Sequence, residues 1–217
     1  HFRQAHIATG GEGAPITGPA MALLFREKTP RLVFNIGGMA NYFLIPKSGS
    51  RECVVARDDG HGNALIDLAT ERLFGERYDK NGARASRGMT HDELFTRITD
   101  PTFFGETGAR STGRETFGPT ALERIMSVAR ECGPNDLDTL CTIVELTVFR
   151  IASAIRRIRR SRRDLSWVYV TGGGVKNTYL MKRLAVLVTP VRVAAPGQLG
   201  ISPTYVEAAC FAALGFM

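Results

Sequence analysis

The sequence predicts a mixed α/β fold in which a sheet is covered by helices, and three observations predict it. Apolar, partly β-branched runs in the first third follow one another closely enough to pair as hairpins. A stripe of apolar residues between Asp138 and Ile158 has helical spacing. A strand, a glycine turn, a helix and another strand then follow in succession from Trp167 to Val193.

The elements follow in order. His1 to Pro15 mixes a short apolar element with a glycine-rich turn, and Pro19 to Phe25 reads as a helix with proline in its first turn. Arg31–Ile36 is a strand broken by Gly37-Gly38, and Asn41–Pro46 is its antiparallel partner. Cys53–Ala56 is a third strand, ending in a turn from Asp58 to Asn63, after which Leu65, Ile66, Leu68, Ala69, Leu73 and Phe74 give a helix its apolar face. Tyr78 to Gly118 is polar and turn-rich, with a short helix over Thr90–Thr99 that Asp100-Pro101 ends. The next helix spans about Asp138 to Ile158, with Leu140, Ile143, Val144, Thr147, Ile151, Ile155 and Ile158 on one stripe. Trp167–Val170 is a strand, Gly172-Gly173-Gly174 a turn, and Asn177 is placed to cap a helix from Thr178. A strand at Val191–Val193 and a last helix launched by Ser202-Pro203 complete the chain.

Composition bounds the function classes. At 217 residues, 44% hydrophobic and 23% charged, the chain can bury a real core. No apolar run approaches membrane-spanning length, and no signal peptide is indicated. Cys53, Cys132, Cys141 and Cys210 lack metal or disulfide spacing, so reduced thiols in a cytoplasmic setting are expected. Much of the net charge of +7 comes from Arg156, Arg157, Arg159, Arg160, Arg162 and Arg163. These read as a solvated helix end complementing the dipole rather than a nucleic-acid site, because no aromatic platform accompanies them.

Three glycine-bearing stretches each follow a strand: Asn35-Ile36-Gly37-Gly38, Asp58-Asp59-Gly60-His61-Gly62-Asn63 and Gly172-Gly173-Gly174. Without a Cβ the backbone can approach a ligand closely, and the carboxyl ends of strands are where open α/β sheets bind ligands. Each stretch is either a tight turn or part of a polyphosphate cradle; none is a Walker A loop or a dinucleotide fingerprint. Asp58 and Asp59 either hold Mg²⁺ or shape a turn. Glu207 lies in an otherwise apolar helix and is expected to face a pocket or to fringe the helix surface. Arg114 lies in a loop rich in groups that hold anions, and pairs most simply with Glu115. His1, His6, His61 and His91 have no metal spacing, and a lone histidine is usually structural or exposed.

Together these stretches resemble the anhydro-N-acetylmuramic acid kinase family, of the sugar-kinase/Hsp70/actin superfamily. The family's Asp-Phe-Arg-x-x-Asp-x-Ala-x-Gly-Gly-Gln-Gly-Ala-Pro is followed by His1 to Pro15, and its Asn-Ile-Gly-Gly-x-Ala-Asn by Asn35 to Asn41. Its Asp-Thr-Gly-Pro-Gly-Asn appears, altered, as Asp58 to Asn63, and its Lys-Ser-Thr-Gly-Arg-Glu-x-Phe as Arg110 to Phe117. Its Gly-Gly-Gly-x-x-Asn is Gly172 to Asn177, and its Gly-Ile-Ser…Glu-Ala…Phe-Ala is Gly200 through Ala212.

The resemblance implies an actin-like ATPase (ribonuclease H-like) fold, with residues 1–30 as the tail of a first lobe or an interlobe connection and residues 31–217 as the second lobe. It implies an ATP- and Mg²⁺-dependent enzyme that adds water to a 1,6-anhydro sugar while phosphorylating O6; levoglucosan kinase does similar chemistry. Asn35, Gly37, Gly38, Gly172, Gly173, Gly174 and Asn177 would border the nucleotide. Asp58, Asp59, Gly60, Gly62, Asn63 and Arg114 would form a substrate or phosphate loop, and Glu207 would lie near the sugar. His1 and His6 replace both aspartates of the first motif, one of which would be the general base; histidine can serve as a base near neutral pH. The chain opens at His1 where the second half of the family should begin. The expectation is therefore a fragment lacking the amino-terminal phosphate loop, inactive alone and partnered by that half in cis or trans. A degenerate nucleotide- or sugar-binding homologue and a levoglucosan-type anhydro-sugar kinase are the alternative functions, and a homodimer is a possible assembly.

Overall fold

Arg31–Ile36 (β1) is apolar on both faces because it lies at the centre of a sheet, and five of its six residues are buried. The computed structural model describes residues 17–25, 27–100, 102–104, 117–197 and 202–216. Met39–Ile45 (β2) returns antiparallel to β1, and Val55–His61 (β3) runs antiparallel to β2. Trp167–Thr171 (β4) adds to the other side of β1 in parallel, and Arg192–Ala194 (β5) adds in parallel to β4. The order β3-β2-β1-β4-β5 places a hairpin-built half beside a crossover-built half.

One sheet face carries Leu32, Phe34, Ile36, Val168 and Val170 into the larger core. Covering it are Asn63–Phe74 (α2), Asp92–Thr99 (α3), Pro119–Cys132 (α4), Asp136–Ser161 (α5) and Thr178–Leu187 (α6). Its middle is α5, where every predicted stripe residue from Leu140 to Ile158 is buried. Asn135 caps α5 by accepting from the Asp138 amide at 3.0 Å, with Asp136 and Asp138 complementing the dipole in the first turn. The opposite face carries Val33, Phe43, Ile45 and Tyr169 into a smaller core, closed by Gly18–Phe25 (α1) and Val206–Phe216 (α7).

Three expectations are corrected. Asp58 to His61 do not form a turn: they belong to β3, because pairing Asn41 with Asp58 and Ala40 with Gly60 satisfies backbone that a free turn would leave to water. The register slips between Ala40 and Asn41, leaving Asp59 as the extra residue. Helix α4 was absent from the sequence reading. It starts on Pro119, ends on left-handed Gly133 and buries Ala121, Leu122, Ile125, Val128 and Ala129. Ser202 makes no side-chain cap; Pro203–Tyr205 is a 3₁₀ turn that precedes α7.

Candidate functional site

The carboxyl ends of β1 and β4 lie side by side, and each runs into glycine. Register alone sets a polar row across the sheet: Thr171 pairs with Asn35, Asn35 with Asn41, and Asn41 with Asp58. Residues paired in register share a face, here the face of the smaller core. The apolar alternation of Val33, Phe43 and Tyr169 therefore gives way to hydroxyl, amide and carboxylate at the strand ends. Thr171 Oγ1 donates to Asn35 Oδ1 at 3.3 Å, and both residues are buried. Asn41 Oδ1 is buried with no hydrogen-bond partner among the described residues, an orphaned acceptor of the kind that marks a ligand or ion position.

The glycines pack the turns against this row. Gly172 has φ +82°, and a Cβ there would stand 2.6 Å from Asn35 Oδ1 and 2.7 Å from the Ile36 carbonyl oxygen. Only glycine fits. Gly173 differs: it is exposed, and an added Cβ would meet nothing closer than Asn63 Nδ2 at 3.6 Å. Packing does not demand its lack of a side chain, and the backbone there is open to close approach. Gly38, at the end of β1, is likewise exposed.

The Gly37-Gly38 turn also anchors α2. The Asn63 amide donates to the Gly37 oxygen at 2.8 Å, and the Gly62 and Ala64 amides donate to the Gly38 oxygen at 2.9 and 3.0 Å. Asn63 Nδ2 reaches the Ile36 oxygen at 3.2 Å. Gly37, Gly38, Gly62, Asn63, Gly172, Gly173 and Gly174 thus form one cluster with Asn35. The Gly172 amide donates to Pro203 O at 3.0 Å, which ties the start of α7 to the same place. Glu207, in the first turn of α7, is exposed rather than buried among apolar neighbours.

Other predicted residues lie apart from the cluster. Asn177 caps α6 by accepting from the Leu180 amide at 3.0 Å, so its side-chain oxygen is committed to the helix start. Asp59 turns to α5, 3.8 Å from Arg157 and close to Arg150; burial pushes its carboxyl up to about 7 against the pull of both arginines. Gly60, φ +125°, leaves room for the Arg150 guanidinium, 3.1 Å from where its Cβ would stand. His61 is buried between Thr147, whose Oγ1 is 3.0 Å from Nδ1, and the Phe117 ring. Burial foremost, then Arg150, holds its imidazole down at about 3. His91 caps α3 through Nδ1. Both are structural histidines. His1, His6 and Arg114 lie outside the described residues.

The sequence reading missed Asn41 and Thr171 as site residues. Their signal was a polar side chain at a period-two position of an otherwise apolar strand face. Among the described residues no three of His, Cys, Asp and Glu gather to hold a metal ion, and no helix is long and apolar enough to cross a membrane.

This mixed five-stranded sheet, flanked by helices and with glycine turns at its strand ends, has an actin-like ATPase fold. The activator of the 2-hydroxyisocaproyl-CoA dehydratase from Clostridium difficile, solved with bound ADPNP, superposes with TM-score 0.57 at 15% identity, covering 90% of this chain and 63% of that one. Component A of the Acidaminococcus fermentans (R)-2-hydroxyglutaryl-CoA dehydratase gives 0.53 at 15%, covering 89% and 68%. A family model described as anhydro-N-acetylmuramic acid kinase matches residues 1–217, and the chain belongs to that family. A curated relative of that name from Rippkaea orientalis is 36% identical over 222 residues, covering 100% of this chain and 57% of the relative. Another, from Shewanella loihica, is 36% identical over 212 residues, covering 97% and 55%. The chain spans little more than half the length of these relatives.

Proposed function

We propose that this chain is the nucleotide-binding lobe of an ATP-dependent kinase that converts 1,6-anhydro-N-acetylmuramic acid to N-acetylmuramic acid 6-phosphate in the cytoplasm. The observation that carries the reading is the polar row Thr171–Asn35–Asn41–Asp58, bordered by exposed Gly38 and Gly173, in a chain of this family. The ADPNP bound to the Clostridium difficile activator, which shares the fold, supports a nucleotide as the occupant.

In this reaction water attacks the anomeric carbon, the bond from that carbon to O6 breaks, and O6 takes the γ-phosphoryl group as ADP leaves. Such transfer is helped mainly by positioning and by electrostatic stabilisation. Asn35, oriented by Thr171, and the backbone at Gly38 and Gly173 hold the phosphates. Asn41 Oδ1 and the Asp58 carboxylate are the hard oxygen donors that suit Mg²⁺, and the orphaned Asn41 oxygen fits that use. When bound, the ion supplies charge neutralisation at the phosphates. Glu207 faces the sugar, and His1 or His6 takes the proton of the attacking water. The rest of the sugar site comes from the length of the relatives that this chain does not match, in cis or in trans.

The replacement of both motif aspartates by His1 and His6 favours a second reading, a homologue that binds ATP without turnover. One assay separates the two. The chain, alone and supplemented with the amino-terminal portion of the Shewanella loihica relative, is given ATP, Mg²⁺ and the anhydro sugar, and ADP and sugar phosphate are measured. Sugar-dependent ADP release in the supplemented reaction supports the kinase. ATP binding without release, unrescued by His1→Asp or His6→Asp, supports the binding protein.

A further inference from the structure

The six arginines between positions 156 and 163 do not form one solvated helix end. Two are committed to carboxylates: Arg162 pairs with Glu52, and Arg157 lies 3.8 Å from Asp59. Of the other four, Arg156, Arg159 and Arg160 are spaced three and four apart on one side of α5, and Arg163 lies in the turn just beyond its end. Together with Ile155, Val188, Thr189 and Val191 they line a pocket of about 400 Å³, within the range of small-molecule sites.

None of these four pairs with a carboxylate among the described residues. Arg156 is held in place, its Nε and Nη2 both donating to the Leu187 oxygen at 3.1 and 2.6 Å. Arg159 Nε is buried and has no acceptor among the described residues. An unanswered buried donor beside three further guanidinium groups calls for an anion. The carboxyl end of α5 opposes this with about half a negative charge, and four full positive charges outweigh it.

The charge selects the occupant. One phosphate group would leave about half of the four positive charges unanswered, whereas a diphosphate answers most of them and can accept from guanidinium forks in pairs. Ile155, Val188 and Val191, each buried in the larger core, form the apolar floor of the pocket. Its position separates it from the nucleotide cluster. Arg156–Arg163 lead into the start of β4 and Val188–Val191 into the start of β5, whereas the glycines follow the end of β4. The length of β4, roughly 16 Å, lies between them.

We propose that this pocket is a second ligand site, which binds a small molecule carrying a diphosphate group. Calorimetric titration of the chain with inorganic pyrophosphate tests it, with Gly173→Val as the background so that the glycine cluster does not compete. Binding is expected there, and Arg159→Gln with Arg163→Gln is expected to weaken it by at least about ten-fold while circular dichroism and Tm stay unchanged. Should that pair unfold the helix end, Arg160→Gln alone, at an exposed position, must still weaken binding. A parallel titration with isopentenyl diphosphate separates the sources: tighter binding assigns an organic diphosphate, and equal binding assigns free pyrophosphate. No binding at millimolar pyrophosphate, or binding indifferent to the arginines, overturns the proposal. So does duplex DNA that binds more tightly than either diphosphate through the same arginines, which would make the pocket part of a nucleic-acid surface.

Discussion

Thr171 Oγ1 donates to Asn35 Oδ1 at 3.3 Å across the parallel β1–β4 pair, and both side chains are buried. The bond engages the Asn35 amide oxygen and leaves its nitrogen to donate elsewhere. Thr171→Val keeps the shape and removes the donor. It should cost about 0.5–1.5 kcal/mol of stability, and should weaken ATP binding because Asn35 loses its orientation. Urea denaturation and nucleotide titration of the same variant check both parts.

Gly172 and Gly133 both have positive φ, +82° and +78°, but ψ is −173° at Gly172, a region essentially restricted to glycine, and 20° at Gly133, the ordinary left-handed region. A Cβ at Gly172 would overlap Asn35 Oδ1 and the Ile36 oxygen, while one at Gly133 would meet nothing within 4 Å. Gly133→Ala should cost about 1 kcal/mol from backbone strain alone. Gly172→Ala should cost clearly more, by about 1–3 kcal/mol, read as a lower urea midpoint. Equal losses would mean that the β1–β4 turn is looser than described.

His61 sets a pH dependence. Its folded pKa of about 3 lies below the ordinary value of 6.5. Between these values the unfolded chain binds a proton that the folded chain does not, so its contribution is present above about pH 6.5 and lost as pH falls towards 3. Asp59 works in the opposite sense. Its pKa, raised from 3.8 to about 7, means that the folded chain holds the proton longer, and stability falls as pH rises through that window. The histidine is therefore read as a difference: the stability of wild type minus His61→Phe should rise by about 1.4 kcal/mol per pH unit between about pH 4 and 6. Parallel profiles would contradict the buried, neutral imidazole.

The hairpin β1–β2, α5 and the β4–glycine–α6 unit were legible because local pattern and tertiary placement agree there. Leu140 to Ile158 is amphipathic by spacing and buried by packing, and Asn177 caps the helix that it was expected to cap. Asp58-Asp59-Gly60 misled because each residue favours a turn locally, and only the lateral partner β2 turns them into strand. The pattern of α4 lies in Pro119, Gly133 and the spacing of Leu122, Ile125 and Ala129, but charged residues interrupt it and a polar, turn-rich stretch precedes it. The polar row was hidden for a different reason. Thr171, Asn35, Asn41 and Asp58 come from stretches as far as 136 residues apart and meet only through sheet register. The division of the arginines likewise depends on distant partners, Glu52 and Leu187.

Under the proposed function the exposed glycine after β4 admits a nucleotide phosphate, and Gly173 allows a direct measurement of it. A Cβ there makes only ordinary contact, 3.6 Å from Asn63 Nδ2, so Gly173→Ala should leave the urea midpoint unchanged. Titration of wild type and Gly173→Ala with a fluorescent, non-hydrolysable ATP analogue in the presence of Mg²⁺ then reads the site alone. Saturable binding by wild type is expected, with a loss of at least about ten-fold in the variant, or about 1.4 kcal/mol. Equal affinity in two equally stable proteins, or no binding by wild type, would contradict it.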